Sequence, residues 1–111
     1  MNKIILILIS ISSIYSQCNA NNWQIYYSND GHNMKACNLV GADLSGENLT
    51  EANLSNASLQ LADLRYANLV QANLQAVNFT DASLFDTKIM NAHLNNANLQ
   101  GTNLKHANFS G

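Results

Sequence analysis

Proline is absent from the 111 residues, and charge is scarce: Asp, Glu, Lys and Arg together make up 11% of the chain. Aromatic residues make up 7% and glycine occurs five times. Five basic residues against seven acidic ones leave a formal net charge of -2. That balance excludes the basic surface a nucleic-acid binder needs. It also falls short of the acidity expected of a polyanion mimic. No apolar run reaches the roughly 20 residues of a membrane-spanning helix. Simple disorder is excluded as well, because 47% of the residues are hydrophobic. The length suffices for one domain. What fills it is narrow: Asn occurs 19 times, Leu 15 and Ala 13, over two fifths of the chain.

The first 20 residues read as a secretory leader. Lys3 supplies the positive start, and Ile4, Ile5, Leu6, Ile7, Leu8 and Ile9 begin an apolar core that runs, with serines, to about Tyr15. The other reading is a short anchor that is never cleaved, which would be the chain's one route to a membrane. Cys18-Asn19-Ala20 has small residues at the offsets a leader peptidase uses and gives a mature start at Asn21; Ile14-Tyr15-Ser16 is a second site. Cutting after Ala20 leaves Cys37 as the only thiol. Cutting after Ser16 leaves Cys18 and Cys37, a pair able to bond in an oxidising compartment. Lipid attachment at Cys18 is a third option, for which Tyr15-Ser16-Gln17 is a poor preceding sequence.

From Cys37 to Gly111 the sequence is one tandem array of period five, without a slip of register. It divides into 15 units, from Cys37-Asn38-Leu39-Val40-Gly41 to Ala107-Asn108-Phe109-Ser110-Gly111. The third place is Leu in 12 units, Phe in two (Phe79, Phe109) and Ile in one (Ile89). The first place is Ala in 10 units, the second is usually Asn with Asp or Ser as substitutes, and the last two places vary freely. Period five fits neither a strand nor a helix. Along a helix it would carry Leu around every face. A chain that turns one Leu and one Ala inward every five residues must turn a corner every five residues. Stacked turns of that kind form a solenoid, in which no unit is stable alone.

The array resembles the pentapeptide-repeat family, whose motif is Ala-(Asp/Asn)-Leu-x-x. The resemblance covers Cys37–Gly111 and implies an all-β fold, a right-handed quadrilateral β-helix with four units per coil. Fifteen units then make just under four coils, a stack of roughly 18 Å at the spacing of adjacent strands. Residues 20 apart would stack, giving inward columns such as Leu39-Leu59-Phe79-Leu99. Stacked Asn side chains, Asn53 over Asn73 or Asn78 over Asn98, would form hydrogen-bonded ladders. Glu47, at a first place in the first coil, would reach a cap or solvent. Thr87 and Thr102 would bond a neighbouring carbonyl.

Asn21–Ala36, between leader and array, carries Trp23, Ile25, Tyr26, Tyr27 and Met34, with a turn at Asn29-Asp30-Gly31. Its expected role is a cap over the first coil, since solenoid ends need cover. The alternative is a recognition surface built from Trp23 and the two tyrosines. At the other end Phe109 faces an open coil. Relatives often dimerise through C-terminal coils, so the resemblance admits a homodimer there.

A catalytic site needs convergent polar groups in a pocket, and a filled solenoid offers none; the expectation is a protein that is not an enzyme, with no cofactor and no metal. His93 and His106 fall on opposite sides of the coil and cannot share an ion. The Asn-x-Ser/Thr matches, such as Asn48-Leu49-Thr50, arise from the repeat itself. One column combines aromatics with charge: Arg65, Tyr66, Phe85, Asp86, Lys105 and His106. Arg65 and Lys105 would flank Phe85 in a cation–π arrangement, making an interaction patch, or the contacts would merely stabilise the stack. The function expected is an exported protein-interaction or structural module, periplasmic or secreted, with a protein partner and no nucleic acid. The alternative is the DNA mimicry by which some relatives inhibit topoisomerases. The array's six acidic and three basic residues, and the leader, weigh against it.

Overall fold

The computed structural model describes residues 18–29 and 32–111. The leader expected over residues 1–20 therefore lies mostly outside the described residues, as do Asp30 and Gly31 of the expected turn.

The repeating unit accounts for all five of its amide donors, and that accounting builds the fold. The first-place N–H donates to the third-place carbonyl of the preceding unit (2.9–3.3 Å), closing a β-turn over the fourth and fifth places. The fifth place has positive φ throughout, between 54° and 69° from Ala36 to His106. Positive φ at the second corner position alone is the signature of a type II turn. The second-place N–H donates to the first-place carbonyl of the preceding coil (2.8–3.1 Å), and the third-place N–H to the second-place carbonyl of the following coil (2.7–2.9 Å). The fifth-place N–H donates to the fourth-place carbonyl of the following coil (2.8–3.1 Å). Thus corners as well as straight segments are stitched between coils.

The remaining donor, the fourth-place N–H, explains the asparagines. It donates to the second-place Oδ1 of its own unit, at 3.0–3.3 Å, wherever that place is Asn or Asp. The ladders expected between Asn53 and Asn73 and between Asn78 and Asn98 are not what these side chains form. Asn53 Nδ2 instead reaches Asn33 Oδ1 at 3.4 Å, and Asn98 Nδ2 reaches Thr80 Oγ1 at 3.2 Å. The backbones of both expected pairs do meet, as isolated parallel bridges. Such bridges join residues 20 apart from Asn33↔Asn53 to Lys88↔Asn108. Each straight segment holds a single bridge because the corner begins two places later; no longer strand forms among the described residues.

Two expectations about the sequence pattern change. The fifth place is not free: only Gly, Asn and Asp enter the left-handed region cheaply, and they occupy nine of the 16 fifth places from Ala36 to Gly111. Further, His32-Asn33-Met34-Lys35-Ala36, assigned above to the segment ahead of the array, has the array's geometry. Asn33 bridges Asn53, the Met34 N–H donates to Asn53 O at 2.8 Å, Ala36 has φ 57°, and Met34 is fully buried.

Inside lies one continuous core. Third-place side chains from Met34 to Leu84 are buried, with Ala, Cys37 or Val77 between them at most first places. Thr87 is buried too, and its hydroxyl donates to Leu64 O at 2.7 Å, while Thr102 does the same to Phe79 O at 3.0 Å. Glu47 is exposed to solvent.

The N-terminal end is covered by a short helix, α1 (Trp23–Asn29). Trp23 and Tyr26 are buried in the same core as Met34 and Leu39. Tyr27 stacks on His32 (centroids 4.1 Å apart, planes 8° apart), and its hydroxyl donates to Thr50 O at 3.2 Å. Burial, and then the charge of Glu51, push the Tyr27 hydroxyl above its ordinary pKa. Cys18 and Cys37 form a disulfide, with Cα atoms 4.8 Å apart. At the opposite end Leu94, Leu99 and Leu104 are half-buried and Phe109 is 39% exposed.

Candidate functional site

The six residues expected to form an interaction patch sit at the fourth and fifth places of stacked units. Tyr66, Asp86 and His106 occupy left-handed corners, with φ of 63°, 54° and 62°. Phe85 and Lys105 are the fourth-place residues beside the last two. The corner stitching brings them together: the Tyr66 N–H donates to Phe85 O and the Asp86 N–H to Lys105 O, each at 3.0 Å.

Three rings form a continuous column. Tyr66 meets Phe85 edge to face, with centroids 5.7 Å apart and planes at 83°. Phe85 meets His106 at 5.3 Å and 33°. Tyr66 is 60% exposed, Phe85 half-buried and His106 exposed. Edge-to-face contact satisfies the ring quadrupoles and leaves most of the tyrosine exposed.

The cation–π arrangement expected around Phe85 is not the one formed. Arg65 turns to the carboxylate of its own unit: Nε lies 2.8 and 3.0 Å from the two Asp63 oxygens and Nη2 lies 2.6 Å from Oδ2. A bidentate charged bond two residues away outcompetes a ring face one coil away. Lys105 makes no ring contact among the described residues. Phe85 therefore has aromatic neighbours where cations were expected.

The carboxylates beside the column are held ionised. Hydrogen bonds from the Arg65 side chain pull Asp63 below its ordinary pKa against the opposing effect of burial, with smaller help from the Arg65 N–H and the guanidinium charge. The Ser45 hydroxyl, and then the Ser45 N–H, do the same for Asp43, with Oγ–Oδ1 at 2.6 Å. Asp43 and Asp63 are bridge partners in adjacent coils, so two carboxylates stack here, one of them neutralised by Arg65.

Among the described residues, no group of three or more His, Cys, Asp or Glu could hold a metal ion. No helix among them is long and apolar enough to cross a membrane. A residue that sequence reasoning left out of the patch is Asp63, which fixes Arg65; its place two positions before an arginine in one unit was the available signal.

The chain is therefore a solenoid of five-residue units with stacked type II corners and an aromatic column on one side. Residues 32–109 match the model of a pentapeptide repeat region, and the chain belongs to the pentapeptide-repeat family, whose solved members are right-handed quadrilateral β-helices. It is similar to a pentapeptide repeat protein, Rfr23, from the cyanobacterium Cyanothece 51142: 33% identity, TM-score 0.67, covering 69% of this chain and 53% of that one. The chain thus spans about half the length of Rfr23. It is also similar to alr5209, a pentapeptide repeat protein from Nostoc Pcc 7120, at 29% identity and TM-score 0.44, covering 74% of this chain and 72% of that one. HetL, a pentapeptide repeat protein from Nostoc sp. Strain PCC 7120 involved in heterocyst differentiation regulation, shares 27% identity at TM-score 0.33, covering 68% of this chain and 48% of that one. No curated protein sequence matches.

Proposed function

We propose that this chain is an exported, non-enzymatic protein-interaction module, wound as a right-handed quadrilateral β-helix of four coils over residues 32–111. The observation that carries the interaction reading is the column Tyr66–Phe85–His106: three rings in contact on an otherwise Asn-rich and weakly charged surface, bordered by Asp86 and Lys105. Tyrosine and histidine with an apolar body and a polar tip suit a protein interface. The family's use as interaction or structural modules and the apolar, lysine-led first 20 residues support the rest. DNA mimicry is the weaker reading, since one of the two stacked carboxylates is already paired with Arg65.

The test is cross-linking capture by tagged mature protein, run beside the Tyr66→Ala, Phe85→Ala double variant. A partner captured by the wild type and lost by the variant supports the assignment. Equal capture by both moves the contact elsewhere. If only self-cross-links appear, the column is packing within the solenoid, and the half-buried Leu94, Leu99 and Leu104 with Phe109 become the contact between two copies. In that case Phe109→Asp would leave a monomer in sedimentation equilibrium.

A further inference from the structure

We infer that a leader peptidase cuts this chain between Ser16 and Gln17, and that the mature protein keeps Cys18 in a disulfide that fastens the helical cap to the coils. The inference rests on the export reading above and names its processing site. On sequence, Cys18-Asn19-Ala20 is the favoured recognition stretch and Ile14-Tyr15-Ser16 the second.

The structure separates the two, because residues 18–20 are part of the folded body. Cys18 is buried and bonded to Cys37. Its carbonyl accepts the Asn38 N–H at 2.9 Å, and Asn19 bridges Asn38 in parallel. Asn19 also organises the entry to α1. Its N–H donates to Asn22 Oδ1 at 2.8 Å, its carbonyl accepts the Asn22 N–H at 3.1 Å, and its side chain accepts the Asn21 N–H at 2.9 Å.

Cutting after Ala20 would remove all of this. It would leave Cys37 as a lone thiol and strip the Asn38 N–H of its acceptor. The segment Asn21–Asn29 would lose its backbone tie to Asn38 and keep its side-chain packing, the Tyr27 hydroxyl bond to Thr50 O and the His32 N–H bond to Tyr27 O. Cutting after Ser16 removes none of it, and Ser16 supplies the small residue needed at the cut. Lipid attachment at Cys18 is incompatible with the structure, because thioether and disulfide need the same sulfur.

The chemistry is two steps. Water adds across the Ser16–Gln17 amide, giving a Ser16 carboxylate and a Gln17 amine. The Cys18 and Cys37 thiols then lose two protons and two electrons by exchange with the disulfide of a thiol oxidoreductase, which departs as a dithiol. That second step places the mature protein in an oxidising compartment.

The experiment is peptide mapping of the full chain, expressed with its own first 20 residues and recovered from the exported fraction. The sample is alkylated and digested with trypsin, without reduction. The expected product is Gln17–Lys35 linked to Ala36–Arg65, separating on reduction. Free Asn21–Lys35 with an alkylated Cys37 peptide would overturn the inference and leave export standing. Protein found only inside cells and yielding Ile4–Lys35 would overturn cleavage and export together. For the fastening role, reductant is expected to lower the Tm of the wild type and leave Cys37→Ser unmoved. A wild-type Tm indifferent to reductant would overturn that role.

Discussion

At the scale of single residues, two backbone demands explain most of the repeat. The fourth-place N–H needs an acceptor, and Asn or Asp two positions earlier supplies one. Ser58, Ser83, Lys88 and His93 stand at second places where no such bond forms among the described residues. Installing the acceptor by His93→Asn should stabilise the fold by about 1 kcal/mol, and removing one by Asn73→Ala should cost about the same; urea unfolding of both variants measures it. The second demand is the left-handed corner. Ala76 occupies it at φ 56° and is exposed, so Ala76→Gly should raise stability by about 0.5–1 kcal/mol, the relief of strain less the entropy of a glycine. Gly41→Ala, with open space around it, should cost about 1–2 kcal/mol. Gly101→Ala should cost about the same, because the atoms its Cβ would crowd are the tip of the exposed Asp81 side chain, which can swing aside. The Asp63–Arg65 pair makes a pH prediction. The folded Asp63 carboxyl is held below its unfolded value, so its contribution is present above about pH 4 and is lost as pH falls through the lower folded value. Asp63→Asn keeps the acceptor for the Arg65 N–H but not the charge. Thermal unfolding of the variant should therefore show a shallower decline in Tm below pH 4 than the wild type does. None of these demands was visible as spacing alone. The second-place bond ends on a backbone donor, and 16 fifth places filled by Gly, Asn, Asp, Ala, Leu, Tyr, Gln, Glu and His look unconstrained until the common φ is known.

At the scale of elements, the corner is the unit of construction and the cap is its exception. Period five and the inward Leu were legible because burial repeats in every unit. The unit His32–Ala36 was missed because it replaces both markers, His32 for Ala and Met34 for Leu, while keeping Asn33, the residue that holds its corner. The cap was legible as a cluster of aromatics, but not its helix, because α1 is only seven residues long, too short for the helical spacing of Trp23, Tyr26 and Tyr27 to stand out. What decides its position is burial: Trp23 and Tyr26 enter the core, whereas Ile25 stays 54% exposed. Trp23→Ala should cost about 3–5 kcal/mol, and Ile25→Ala should be nearly neutral, as thermal melts of the two variants would show. If Trp23→Ala were also neutral, the helix would be an appendage and the first coil would cap itself. The disulfide acts on the same element. Closing a loop of about this length removes roughly 3 kcal/mol of unfolded-state freedom in the chain-entropy account, comparable with the tryptophan's contribution.

At the scale of the whole molecule, the hydrogen-bond scheme is directional, and that polarity separates the amides of each unit into forward and backward donors. Third- and fifth-place amides donate forward to the following coil, while second-place amides donate backward. The chain's forward donors therefore have partners up to Ile89 and Asn91, which reach Asn108 O and Ser110 O. From Leu94 onward, the third-place amides of Leu94, Leu99, Leu104 and Phe109 have no carbonyl partner among the described residues, and their side chains are only half-buried or exposed. The aromatic column spans this gradient, with Tyr66 where the forward amides are bonded and His106 where they have no partner among the described residues. A partner gripping all three rings would brace the less stable coil against the more stable one. Amide exchange follows local opening, so it should separate donors within single units. Leu64, Leu69 and Leu74 amides should be among the slowest in the molecule, while Leu94, Leu99 and Leu104 exchange near the rate of an unprotected chain. Asn98, Asn103 and Asn108, which donate backward to Val77, Ala82 and Thr87, should remain protected beside those fast neighbours. An NMR exchange series showing this alternation would tie protection to donor direction. Uniform fast exchange across residues 94–109 would instead mean that the last coil frays as a block. The column would then hold its His106 end only when a partner is bound.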